Sequence, residues 1–428
     1  MQTPVSADQA LAQVRSGDRV YIHGGCATPT PLLAALARRA ASLEDVETVA
    51  LHMEGPAPHV DASLAGHLRH NALFIGPNVR EAVNAGRADF TPVFLSDIPA
   101  LFSQGPLPLD VALIHVSPPD AHGFCSLGVS VDVAQPAAEA ARHVIAEINA
   151  QMPRSLGDAF IHQSRFDAYI ETDRPVLEYA PPRLTAVHEQ IGREVATLIE
   201  DGATLQMGIG AVPDAILQQL GGHKDLGIHT EMFSDGVIDL VESGVITGAR
   251  KPIFTGMIVS SFVMGTRRLY DFIDDNPMVS MHPSHETNDI RAIAKHGAMV
   301  AVNSAIQVDL SGQVCADSIG SRFYSGIGGQ LDFIRGAAAS PQGRPIIALP
   351  STAEGGSISR IVAELTPGAG VVTTRGDVYF VVTEHGIAAL HGRSVRDRAQ
   401  ALLNVAAPSF REELARRAHA LYGFSLQV

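Results

Sequence analysis

The chain has 428 residues, 46% of them hydrophobic and 18% charged, enough to fill more than one ordinary core and too apolar for an intrinsically disordered chain. With 31 Lys and Arg against 45 Asp and Glu, the net charge of −14 argues against a nucleic-acid partner held by a basic face. Cys26, Cys125 and Cys315 stand far apart, so neither a disulfide framework nor a cysteine zinc site is expected.

The opening MQTPVSADQALAQVRSGD has no basic stretch leading into an apolar one, and no apolar run reaches the ~18 residues of a membrane span. A cytoplasmic protein making no membrane contact is expected. The first buried-strand pattern is 19–23 (RVYIH), followed by helical spacing over 31–41. A strand at 111–116 (VALIHV) and helical spacing over 137–149 come next, then a helix over 193–200, a strand at 204–207 (TLQM) and a helix over 214–220. The last third gives strands at 299–302, 345–349 and 378–383, with a helix expected over 357–364. Alternation of this kind predicts an α/β protein with parallel sheets covered by helices.

Two offsets suggest an internal duplication. Ser16-Gly17-Asp18 precedes a strand ending at Gly24-Gly25, and 185 residues on Asp201-Gly202-Ala203 precedes one ending at Ile209-Gly210. Asp120–Gly123 matches 309–312 at an offset of 189. The reading is two α/β halves of one topology, divided near 179–184, where YAPPRL breaks helix and strand alike. The halves are taken as 1–182 and 183–428.

Four segments have the composition for chemistry. Gly208-Ile209-Gly210-Ala211-Val212 lies between a strand and a helix, where free amides and a helix N-terminus favour an anion. It lacks the third glycine of a dinucleotide fingerprint, and on its own is equally a structural turn. Glu231, between Thr230 and Met232-Phe233, is a carboxylate with apolar neighbours, which raises basicity and nucleophilicity, although an isolated glutamate is more often a cap or an ion-pair partner. Gly326, Gly328 and Gly329 form a loop with the amide supply of an oxyanion hole, or equally a hinge. VSPPDAHG over 116–123 is a proline-stiffened loop after a buried strand. Glu354, Glu384, Glu286 and Asp317 compete with Glu231. No metal site is expected, since Pro283 stops His282 and His285 from sharing a regular helix face. The GxSxG elbow is absent, which shifts weight to a carboxylate nucleophile.

In order along the chain, VSPPDAHGFCSLGVSVD, MGIGAVPDAI, GIHTEMFSDGV, GTRRLYDFIDDNP, AVNSAIQVDLSGQVCADSIGSR, YSGIGGQLDFIRGA, ALPSTA and VVTTRGDVYFVVTEHGIAAL resemble the acetyl-CoA hydrolase/transferase family, in its 4-hydroxybutyrate CoA-transferase type of class I CoA-transferase. The resemblance implies two open parallel-sheet α/β domains of similar topology with the active site in the cleft between them. It implies Glu231 as nucleophile, and coenzyme A bound by Gly208, Ile209, Gly210, Ala211 and Val212, with Asn303, Gly326, Gly328 and Gly329 completing the pocket. It further implies a homodimer acting on acyl-CoA and short-chain carboxylates, with coenzyme A as substrate and no other cofactor. The stretch 282–289 (HPSHETND) departs from the family pattern of a tyrosine and an asparagine before a proline, which bears on the acyl pocket. Transfer, hydrolysis at the same glutamate, and a non-catalytic acyl-CoA sensor are the readings the sequence leaves standing.

Overall fold

The computed structural model describes residues 3–428. The chain forms two compact units, one running to Ala180 and taking in Val259–Thr287, the other made of Pro181–Ile258 and Asn288–Val428.

In the first unit, β1 (Arg19–Ile22), α1 (Thr30–Arg39), β2 (Val46–Ala50), β3 (Leu68–Ala72), β4 (Asp89–Phe90), β5 (Val111–Val116), α2 (Ala134–Ala140), β6 (His143–Asn149) and β7 (Ala168–Thr172) carry the framework. Its seven strands are all parallel, in the order β4-β3-β2-β1-β5-β6-β7. Every residue of β5 is buried, as expected when helices cover both faces of a parallel sheet. Val20, Leu32, Leu36, Leu113 and Ile145 share one of its cores.

The second unit contains α3 (Ala186–Ala196), β8 (Thr204–Met207), α4 (Ala211–Gln219), β9 (Gly227–Ile228), β10 (Met299–Asn303), α5 (Gln330–Ala339), β11 (Arg344–Ala348), β12 (Phe380–Thr383) and β13 (Gly386–Ala389). Its sheet runs β9-β8-β10-β11-β12-β13, parallel except for the last, antiparallel pair. The two sheets therefore share a five-strand order, β2-β1-β5-β6-β7 against β9-β8-β10-β11-β12.

The duplication extends to a turn. Asp120 Oδ1 accepts from the backbone N–H groups of His122 (2.8 Å) and Phe124 (3.0 Å), and Asp309 Oδ1 accepts from those of Ser311 (2.9 Å) and Gln313 (3.0 Å). The same side chain thus closes the same loop three residues before a glycine, Gly123 or Gly312, each with positive φ.

Three sequence expectations need correction. The helix expected over 137–149 is α2 followed by strand β6. Glu139, Arg142, His143 and Glu147 fall at helix-like intervals of three and four, but Glu147 and Asn149 lie two apart, the strand period, and both are buried and satisfied. Glu147 accepts from Arg174 Nε (2.7 Å) and Thr172 Oγ1 (2.8 Å), and Asn149 Nδ2 donates to the Arg174 carbonyl (2.9 Å). The helix expected over 357–364 is two short strands, Ile358–Ser359 paired with Thr352–Ala353 and Ile361–Val362 paired with Gln307–Asp309. The helix expected over 193–200 begins earlier, at Ala186, where Thr185 and His188 form a reciprocal cap. Among the described residues no helix is long and apolar enough to cross a membrane.

Candidate active site

The candidate site is built from residues of the second unit. Strand β8 ends in the Gly208–Gly210 turn, and Gly210 caps α4 with φ +113°, a backbone region that excludes side-chain-bearing residues. One strand over, the chain leaves β9 through Thr230, whose hydroxyl lies 3.0 Å from the Met207 carbonyl and 2.8 Å from that of Met232. This tie fixes Glu231 opposite the glycine turn.

The turn, the first residues of α4, the end of β10 and Glu231 enclose a pocket of about 320 Å³. Gly208, Ile209, Gly210, Ala211, Val212, Glu231 and Asn303 all line it. The free N–H groups and dipole at the start of α4 favour an anionic group there. The Asn303 amide is held by Gln206, its Nδ2 donating to Gln206 Oε1 at 3.0 Å. Arg360 and His188 add a fixed positive charge and an imidazole to the wall.

Glu231 is half-buried, and that burial pushes its carboxyl up to about 7. A hydrogen bond from Asn288 opposes the rise, the charge of Asp332 adds to it, and the Gly329 N–H opposes it again. Asn288 Nδ2 reaches both carboxylates, at 3.2 Å from Glu231 Oε2 and 3.3 Å from Asp332 Oδ2. Gly329 is the N-cap of α5, so Glu231 sits at a second helix N-terminus. A Cβ on Gly329 would overlap the Glu231 carboxylate and the Asn288 amide. The site therefore presents a carboxylate that is an anion above neutral pH and is only partly neutralised by its donors. Such a group is a competent nucleophile toward an electrophilic carbonyl.

Gly326, Gly328 and Gly329, expected to complete this pocket, are not among the residues lining it; Gly329 meets Glu231 through its N–H, and Gly328, at φ +58°, shapes the turn that feeds α5. The competing carboxylates have other work. Glu384 accepts from the Ser351 N–H (2.9 Å) and hydroxyl (2.6 Å), Asp317 from the Ser318 hydroxyl (2.9 Å), and Glu354 is exposed. Sequence reasoning did not single out Asn288, Asp332, Gln206, His188 or Arg360. Asn288 falls in the divergent 282–289 stretch, and Asp332 three residues after Gly329 was the nearer signal.

The chain matches the N-terminal domain of the acetyl-CoA hydrolase/transferase family over residues 3–178 and its C-terminal domain over residues 265–418. It is 50% identical over 410 residues to the 4-hydroxybutyrate coenzyme A transferase of Clostridium kluyveri, covering 96% of each chain. It is 49% identical over 418 residues to the succinyl-CoA:acetate/propanoyl-CoA:succinate CoA transferase of Fasciola hepatica, covering 96% of this chain and 87% of that one. The crystal structure of 4-hydroxybutyrate CoA-transferase from Porphyromonas gingivalis superposes with a TM-score of 0.84 at 38% identity, over 98% of this chain and 97% of that one. The chain belongs to the acetyl-CoA hydrolase/transferase family. Within it, the protein is an enzyme of the CoA-transferase type.

Proposed function

We propose that this enzyme moves coenzyme A from acetyl-CoA to a short-chain carboxylic acid of the 4-hydroxybutyrate or butyrate type, through a thioester on Glu231. The observation that carries the reading is a half-buried carboxylate, poised near neutrality, in the wall of a pocket lined by the glycine turn at the start of α4. The names of the Clostridium kluyveri and Fasciola hepatica relatives support the substrate class.

The Glu231 carboxylate attacks the thioester carbonyl of the donor, giving a mixed anhydride and releasing the coenzyme A thiolate. The thiolate attacks the glutamyl carbonyl, expelling the first acid as its carboxylate and leaving a Glu231–CoA thioester. The acceptor carboxylate then attacks that thioester, and the thiolate released takes the new acyl group and frees Glu231. One thioester replaces another, so no nucleotide hydrolysis is required and the kinetics are ping-pong. Coenzyme A is substrate rather than resident cofactor. Arg360 and the start of α4 supply the local attraction for its anionic end that a −14 chain lacks overall. We assign the enzyme to the cytoplasm as a homodimer, which light scattering of the purified protein tests for the oligomer.

The decisive assay is acetyl-CoA with and without butyrate, following free thiol and CoA esters together. Butyryl-CoA without free thiol is the expected result. Thiol released at one rate regardless of butyrate would make the enzyme a hydrolase. A second expectation concerns pH. Glu231 must be ionised to attack, so kcat/KM for acetyl-CoA falls about tenfold per pH unit below about 7 and levels off above it. A flat profile from pH 5 to 8 would remove Glu231 as the attacking group.

A further inference from the structure

We propose that Asp332 is a positioning residue for this reaction, acting through Asn288; the inference rests on the reading of Glu231 as the reacting carboxylate. Asn288 is fully buried, and its Nδ2 stands between Glu231 Oε2 (3.2 Å) and Asp332 Oδ2 (3.3 Å). An amide nitrogen carries two N–H bonds, one for each carboxylate. The other end of the side chain is different: Asn288 Oδ1 is buried without a hydrogen-bond partner. Nothing at that oxygen decides which way the amide faces. The two carboxylates decide it.

During turnover they stop being equivalent. While Glu231 is an anion it attracts Nδ2 by itself. Through the middle of the cycle it is an anhydride and then a thioester, both uncharged, and its hold on the donor weakens. Asp332 takes no covalent part in these steps, so they leave its hydrogen bond from Nδ2 in place. It is 4% exposed, in the first turn of the ten-residue helix α5, where the helix N-terminus favours its negative charge. It therefore keeps Nδ2, and not the orphaned Oδ1, turned toward the Glu231 carbonyl when that carbonyl is under attack. Presenting Oδ1 there would set two carbonyl oxygens against each other. Asp332 is not among the residues lining the pocket, so it does not act by touching substrate; its charge also raises the Glu231 carboxyl directly, and the cycle below isolates the part that passes through Asn288.

A double-mutant cycle in the full-length enzyme tests this. Butyryl-CoA formation is measured for the wild type, Asn288→Ala, Asp332→Asn and the double variant, with circular dichroism and thermal melting to confirm folding. Asn288→Ala is expected to lower kcat about 100-fold, and Asp332→Asn about tenfold with KM for acetyl-CoA within twofold. In the double variant, kcat should lie within twofold of Asn288→Ala, because the orienting group has nothing left to orient. Multiplying losses, an unchanged kcat in Asp332→Asn, or a change confined to KM would overturn the inference. If Asp332→Asn fails to fold, Asp332→Ser takes its place in the cycle. Glu231→Ala is measured alongside. Turnover surviving in it overturns the function reading and this inference together, whereas a dead Glu231→Ala with multiplying losses overturns this inference alone.

Discussion

Glu231→Gln loses transfer by at least about 10⁴-fold and gains stability at pH 8. The first half follows from removing the nucleophile of a covalent cycle while keeping its shape and the Gly329 N–H contact. The second follows from the elevated carboxyl. Between the unperturbed 4.5 and about 7, the folded protein holds a proton on Glu231 that the unfolded chain has released, so folding stability falls as pH rises through that window. At 1.36 kcal/mol per pKa unit the full penalty above pH 7 is about 3 kcal/mol, and solvent at the pocket side of the half-buried group reduces it to about 2 kcal/mol. A neutral glutamine does not bear that penalty. The melting temperature of Glu231→Gln should therefore match the wild type at pH 4.5 and exceed it increasingly up to pH 7.5. Equal melting at every pH would mean that the carboxylate is not strained by its surroundings. Full transfer activity would mean that it is not the nucleophile. A residue that weakens the fold in the form that reacts is what a reactive site is expected to contain.

The sequence made the sheets legible because β5 and most of β10 are short apolar runs buried on both faces, and β1 and β8 are short runs between turn signals with most or all residues buried. It failed where the charged residues of a helix and of the strand after it, Glu139, Arg142, His143 and Glu147, fell at helical intervals, although Glu147 and Asn149 sit on the strand with partners Thr172 and Arg174 about 25 residues on. It failed again at Ile358–Val362, whose strand partners include residues more than 50 positions away. The candidate site divides along the same line. The glycine turn and Glu231 carry local signals, a strand ending before a helix and a carboxylate flanked by Met232 and Phe233. Asn288 carries none and Asp332 only its nearness to the glycine loop, since a buried amide bridging two carboxylates exists only after residues 57 and 44 positions apart have been folded together. What a residue type can do is local information. Which of many carboxylates is desolvated, and which amide attends it, is settled by packing.

Gly329→Ala is expected to lower kcat by about 10²- to 10³-fold while the protein stays folded. The backbone at Gly329 has φ −95° and ψ 7°, which any residue can adopt, so the substitution introduces no conformational strain of its own. The space is the difficulty. The added methyl group would overlap Glu231 Oε2 and Asn288 Nδ2, and would lie 3.0 Å from Glu231 Cδ. It cannot be relieved by the helix, because the glycine is the N-cap from which α5 begins. The carboxylate must swing away into the pocket, losing the Gly329 N–H and its alignment with Asn288. A displacement of about 1 Å at a reacting centre costs on the order of 10² in rate, and loss of a donor adds to it. Exchanging glycine for alanine at an N-cap costs the fold only about 1 kcal/mol, a few degrees of melting temperature at most. The control is Gly297→Ala, at an exposed loop position whose added methyl group meets nothing within 4 Å, which should leave kcat within twofold. Normal turnover in Gly329→Ala would show that Glu231 reacts from a different position than the one it occupies against this glycine. Loss of folding in Gly329→Ala alone would place the demand for glycine in the assembly of α5 rather than in the geometry of the nucleophile.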